Sequence, residues 1–123
     1  MSIERVEEKF ENHSENVGIG ATLEILRVEA PSKCRIRIKT FGNYLGTVAA
    51  WGVAYWTYWE NGVQREFSGV NQIMDQIGFA AQRQPVSPVE VGGGSVIQFF
   101  GVNPTGDILA MGISIGYEII TGS

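Results

Sequence analysis

Between residues 34 and 40 the chain alternates cleanly, with Cys34, Ile36 and Ile38 on one parity and Arg35, Arg37 and Lys39 on the other. A period of two places one set in a core and the other in water, so this run predicts a half-buried antiparallel strand with Cys34 pointing inward. The same period returns over residues 108–120, the last strand or pair of strands, where Met111, Ile113, Ile115, Tyr117 and Ile119 oppose Gly112, Ser114, Gly116 and Glu118. The glycine-lined side of that strand admits close approach of another backbone and predicts contact with a subunit or a ligand. Residues 95–102 (SVIQFFGV) read as a core strand. Residues 19–29 (IGATLEILRVE) read as a first strand, ended by the Ala30-Pro31-Ser32 break. Pro85-Val86-Ser87-Pro88 is an extended connector into a short edge strand at residues 89–91, and residues 41–44, 92–94 and 103–106 read as loops and turns.

The most informative stretch is residues 47–67, TVAAWGVAYWTYWENGVQREF, which holds all three tryptophans. Asn61-Gly62 between two strand-like runs predicts a β-hairpin closed by a two-residue type I′ turn, because both positions tolerate positive φ. The register follows: Glu60 faces Val63, Trp59 faces Gln64, Tyr58 faces Arg65, Thr57 faces Glu66 and Trp56 faces Phe67. Trp56 with Phe67 is then an aromatic pair, and Tyr58 with Arg65 a cation–π pair. Further back both parities are apolar, so Trp51, Tyr55 and Trp59 lie on a second face that needs a cover. The cover is a second sheet together with either a loop or a neighbouring subunit, and the apolar second face predicts a symmetric oligomer, with a trimer expected.

Only two stretches have helical spacing. Ile3, Val6 and Phe10 recur among charged residues over residues 2–16, which predicts a short acidic helix or arm that either docks its apolar stripe on the body or on a neighbour, or frays. The expected organisation is thus an arm over residues 1–17 and one domain over residues 18–123. Ile73, Ile77 and Ala80 or Ala81 predict a short helix or ordered loop within residues 69–84, interrupted by Gly78. With about seven strands and no alternation of strand with helix, the fold class is all-β, an antiparallel β-sandwich of jelly-roll type.

Composition sharpens this picture. Of the 123 residues, 44% are hydrophobic and 18% charged, which suits a single packed domain with no disordered majority. The net charge of −4 is concentrated at the start: Glu4, Glu7, Glu8, Glu11 and Glu15 against Arg5 and Lys9 give the first sixteen residues −3 and leave −1 for the rest. A nucleic-acid partner would call for a basic excess, and the local cluster of Arg27, Lys33, Arg35, Arg37 and Lys39 lacks an interleaved aromatic platform, so it reads as a solvated strand face. The lone Cys34 cannot form an internal disulfide and fits a reducing compartment. No secretory leader opens the sequence and no apolar run is long enough to span a bilayer as a helix, so a soluble protein made in the cytoplasm, with no membrane partner, is expected.

Signals for chemistry are weak. Gly112-Ile113-Ser114-Ile115-Gly116 fits the string of a nucleophile elbow, but a strand follows it instead of a helix, and the single histidine, His13, lies upstream in the acidic segment. One histidine and one cysteine cannot assemble a zinc set, no spacing matches a calcium loop, and Gly92-Gly93-Gly94-Ser95 lacks a phosphate-loop lysine. Asp75, Glu90 and Asp107 are the carboxylates that glycoside chemistry would draw on, and nothing in the linear pattern pairs them. No enzyme activity, metal or cofactor is therefore expected. The crowded aromatics leave one binding chemistry open, stacking against sugar rings.

The run from Ala30-Pro31 through RIRIKTFGN, WENGV, QPVSPVEVGGGSVIQFF and MGISIGYEI, covering about residues 19–120, resembles small jelly-roll structural proteins of tailed bacteriophage virions, the capsid decoration (cement) and fibre-base proteins. That resemblance implies a homotrimer or other symmetric oligomer seated on capsid protein, a terminal arm reaching a neighbour, and location in the virion. The expected function is a non-enzymatic virion component, with interface candidates Ile3, Val6, Phe10, Trp51, Tyr55 and Trp59. A carbohydrate-binding β-sandwich module is the alternative.

Overall fold

The structure, a computed structural model, describes residues 4–79 and 82–122. Its strands are β1 (Arg5–Val17), β2 (Thr22–Glu29), β3 (Cys34–Leu45), β4 (Tyr55–Glu60), β5 (Val63–Arg65), β6 (Gln84–Val91), β7 (Val96–Val102) and β8 (Leu109–Thr121), with a 3-10 turn at Val48–Ala50. They form two antiparallel four-stranded sheets, the first in order β1-β8-β3-β6 and the second in order β2-β7-β4-β5. The first strand pairs with the last, the second with the seventh, the third with the sixth and the fourth with the fifth, which is a jelly roll, as the turn spacing predicts.

Alternation places the core between the sheets. Ile36 and Ile38 of β3, Ile97 and Phe99 of β7, and Met111, Ile113 and Ile115 of β8 are all buried. Phe41 from the first sheet meets Phe67 and Phe99 with ring centroids 4.8 and 5.6 Å apart, and Tyr58 meets the same two rings at 5.3 and 5.0 Å. These tilted contacts fasten the sheets together at their centre. On the outer face of the first sheet, Arg35 and Arg37 both pair with Glu90, and Arg37 and Lys39 with Glu118. The basic strand face is thus solvated and neutralised from its flanking strands.

Several expectations are corrected. Residues 5–17 are not a helix or a detached arm: β1 pairs with β8 along its whole length, from Arg5↔Thr121 to Val17↔Leu109. A helix there would leave the backbone edge of β8 without partners, and the four-residue step from Val6 to Phe10 satisfies a period of two as well as a helical one. Ile3 lies outside the described residues, as do Ala80 and Ala81. Residues 41–44 are not a loop either. β3 continues through them, and Gly42 is required because a Cβ there would overlap the carbonyl of Phe79. Pro85 and Pro88 belong to β6, an edge strand whose register on β3 shifts between Ile38 and Thr40, so the prolines sit at a point where the ladder is already interrupted. Among the described part of residues 69–84 there is no helix; this segment crosses the first sheet as irregular chain, held by Asn43, whose Nδ2 donates to Asp75 O at 2.9 Å and whose Oδ1 accepts from Ile77 N at 2.8 Å.

That segment also closes the glycine-lined face of β8. Arg83 Nη1 donates to Ser114 Oγ at 3.0 Å and its guanidinium lies 4.5 Å from the Phe10 ring, which itself packs on Gly116. The close approach predicted by Gly112, Ser114 and Gly116 is therefore made by the chain's own backbone and side chains.

Candidate ligand groove on the second sheet

The hairpin forms as the Asn61-Gly62 turn dictates, with φ of 50° and 78° at the two positions and with Glu60↔Val63, Trp59↔Gln64 and Tyr58↔Arg65 paired. It stops there. β5 ends at Arg65, and Trp56 pairs instead with Ile73 through two backbone hydrogen bonds of 3.0 and 2.8 Å, so the expected Thr57–Glu66 and Trp56–Phe67 rungs are absent. A second tight turn with positive φ at Ser68 and Gly69 turns the chain back early and brings residues 70–73 against β4. Tyr58 packs inward on Phe67 and Phe99 while Arg65 sits 3.8 Å from Glu60, so no cation–π pair forms between them.

The three tryptophans do not share a face. Residues 47–54 are not strand; the chain turns at Gly52, and Trp51 packs half-buried with its ring 5.5 Å from that of Trp56. This is why both parities are apolar in that stretch. Tyr55 and Trp59 do emerge together, on the outer face of the second sheet. Between them stands Thr57, whose Oγ1 accepts a 2.9 Å hydrogen bond from Trp59 Nε1. The register sets Val102 beside Tyr55, Phe100 beside Thr57, and Gln98 beside Trp59, with Thr22 next to Val102 and Gln64 beyond Trp59.

These side chains, with Gly62 and Gln72, line an open groove of about 510 Å³. Two of its side chains are held by local contacts. Trp59 is fixed by its bond to Thr57 and by an edge-on contact with Phe100 at 5.8 Å, and Gln64 Nε2 donates to Asn71 O at 3.1 Å. The lining carries no carboxylate, ammonium or guanidinium group. It offers aromatic faces, amides and hydroxyls, which suit an uncharged ligand dense in hydroxyl groups.

Of the expected interface residues, only Tyr55 and Trp59 reach this groove. Val6 and Phe10 are exposed on β1, on the other sheet. Phe100, Gln98 and Gln64 were not among the expected interface residues, although Gln64 was expected opposite Trp59 and adjacent Phe99 and Phe100 in a strand must send one ring outward. The remaining chemistry is dispersed. Ser114 lies in the middle of β8 on its outer face, whereas His13 is opposite Ile113 on the other parity and bonds Glu11 at 3.1 Å, so the two are not brought together. Glu90 is held by Arg35 and Arg37, and neither it nor Asp75 or Asp107 lines the groove. Cys34 is half-buried at the start of β3, its Sγ 3.3 Å from Thr121 Oγ1. Among the described residues no three His, Cys, Asp or Glu side chains come together as a metal set.

No family model matches this chain, and no curated protein matches it. Among solved structures it is similar to one described as BuGH86wt in complex with neoagarooctaose, at 13% identity and a TM-score of 0.41. The match covers 98% of this chain and 20% of that one, so the chain spans about a fifth of that protein's length.

Proposed function

We propose that this β-sandwich is a carbohydrate-binding module without catalytic activity of its own, taking a neutral saccharide in the groove of the second sheet. The observation that carries the reading is the groove's composition: Tyr55, Trp59 and Phe100 supply apolar faces for sugar rings, while Gln64, Gln72, Gln98 and Thr22 supply neutral donors and acceptors for hydroxyls. The lining itself carries no cation for an anionic ligand, and the charged groups the register sets beside it, Arg27 next to Gln98 and Glu24 next to Phe100, stand at its margin. Glycoside hydrolysis commonly uses a pair of carboxylates, and the lining contains none. Affinity electrophoresis through gels containing neutral polysaccharides tests this. Retardation by at least one of them is expected, with Trp59→Ala and Phe100→Ala each weakening it about tenfold or more and Trp51→Ala leaving it unchanged. Free migration in every gel, or retardation indifferent to Trp59→Ala, would overturn the reading.

A second reading, a self-associating virion component seated on a capsid surface, is supported by Val6 and Phe10, which stand exposed along an edge strand. Mixing the protein with capsids that lack it and imaging the particles tests that reading, with bare particles counting against it.

A further inference from the structure

We infer that two copies of this chain pair through β1, antiparallel, about a two-fold axis at Phe10, which joins their first sheets into one. β1 is the edge of its sheet, and its outer backbone has no strand partner among the described residues. Such an edge is a template for another strand, and proteins that keep it solitary usually make it short, bulged or interrupted by proline. β1 is thirteen residues long, without proline and without a register shift. Its defence is charge alone, and the charges are arranged in a self-complementary way.

In an antiparallel pair of identical strands, residues of equal parity must face each other, so the axis passes through a residue. Placed at Phe10, it sets Arg5 opposite Glu15, Glu7 opposite His13, Lys9 opposite Glu11, Glu8 opposite Asn12 and Phe10 opposite itself. Each cation of β1 meets a carboxylate, twice by symmetry, and no like charges are opposed. Other registers are worse. An axis at Glu8 or Glu11 opposes that glutamate to its own copy; one at Lys9 opposes two lysines and sets Glu7 against Glu11. An axis at Asn12 avoids like charges but leaves Arg5 unpaired and faces Phe10 with Ser14.

The edge is also accessible. Glu7, Lys9, His13 and Glu15 lie on the side that forms the core further into the sheet, yet they are exposed, so β2 does not overhang them. Phe10 keeps 61% of its surface in solvent although its ring touches Gly116 and Arg83, and two such rings would cover each other at the axis. This interface lies on the opposite sheet from the groove and stands or falls independently of the sugar reading.

The test is light scattering on sized protein at tens of micromolar, with sugar absent. A dimer of the 13.5 kDa chain is expected. Lys9→Glu alone and Glu11→Lys alone each oppose like charges at two symmetry-related places and should weaken it roughly tenfold or more, while the double exchange should restore it. Circular dichroism and urea midpoints of each variant read the loss of the same-strand pairs Lys9–Glu7 and His13–Glu11, and of the Tyr117–Glu11 hydrogen bond, separately from association. A monomer, a trimer, single variants that still dimerise as the parent does, or a double exchange that fails to restore the dimer would each overturn the inference. In the Asn12 register Lys9→Glu would set the introduced carboxylate against Glu15 of the other copy, so restoration by the double exchange also selects the register.

Discussion

Two asparagines decide more of this structure than their places in turn-like sequence suggest. Asn103 is fully buried after β7, and its Nδ2 donates to the carbonyls of Val17, Gly18 and Asp107 at 3.0, 3.2 and 2.7 Å. Its Oδ1 accepts from Thr105 N at 3.0 Å and from Thr105 Oγ1 at 2.6 Å. One side chain therefore ties the β1–β2 turn to the β7–β8 loop. Replacing it with alanine strands several buried polar groups at once, so Asn103→Ala is expected to cost about 2–4 kcal/mol. Urea unfolding followed by tryptophan fluorescence measures this, and a loss under about 1 kcal/mol would show that water replaces the amide. Asn43 does the same work for residues 75–78. Neither role is readable from sequence, since Asn in a loop signals tolerance of unusual backbone and says nothing of which distant carbonyls fold against it.

At the scale of elements, what is legible depends on whether one period fits. β8 alternates and β7 is a short apolar run bounded by turns, and both strands lie where the pattern predicts. β1 fails because Val6 and Phe10 satisfy two periods, and its inner parity carries Glu7, Lys9, Glu11, His13 and Glu15, as befits an edge that the second sheet leaves uncovered. The β4–β5 hairpin is legible through its turn but not in its length, because Trp56 finds its partner at Ile73, a non-local pairing. The turn itself offers a clean measurement. A Cβ added at Gly62 meets nothing within 4 Å, so substitution there tests backbone conformation alone. With φ at 78°, Gly62→Val is expected to cost on the order of 1–2 kcal/mol. An unchanged denaturation midpoint would show that the turn relaxes freely and that the three-residue β5 contributes little.

For the whole molecule, the sandwich is legible because turn signals recur at short intervals, whereas the groove is not, because its floor comes from β4 and β7, adjacent only through the roll of the sheets. The same roll buries two tyrosines whose ionisation couples to global stability. Burial raises the Tyr58 hydroxyl well above its ordinary value, helped by Glu60, whose Oε1 accepts its hydrogen bond at 2.9 Å. Burial also pushes Tyr117 up from 10.0 to about 12, with Glu11 adding to the shift. Both groups hold their protons more tightly folded than unfolded, so the stability they confer is complete below about pH 10 and is lost as pH rises through the folded values. Between these limits the unfolded chain gives up a proton that the native chain keeps, which draws the equilibrium toward unfolding. Urea midpoints should therefore fall markedly between about pH 9 and about pH 11.5, and less in Tyr117→Phe, where one of the two ionisations is removed. Equal falls in parent and variant would show that Tyr117 ionises in place without unfolding the sandwich, and that the interior beside Glu11 is open to water.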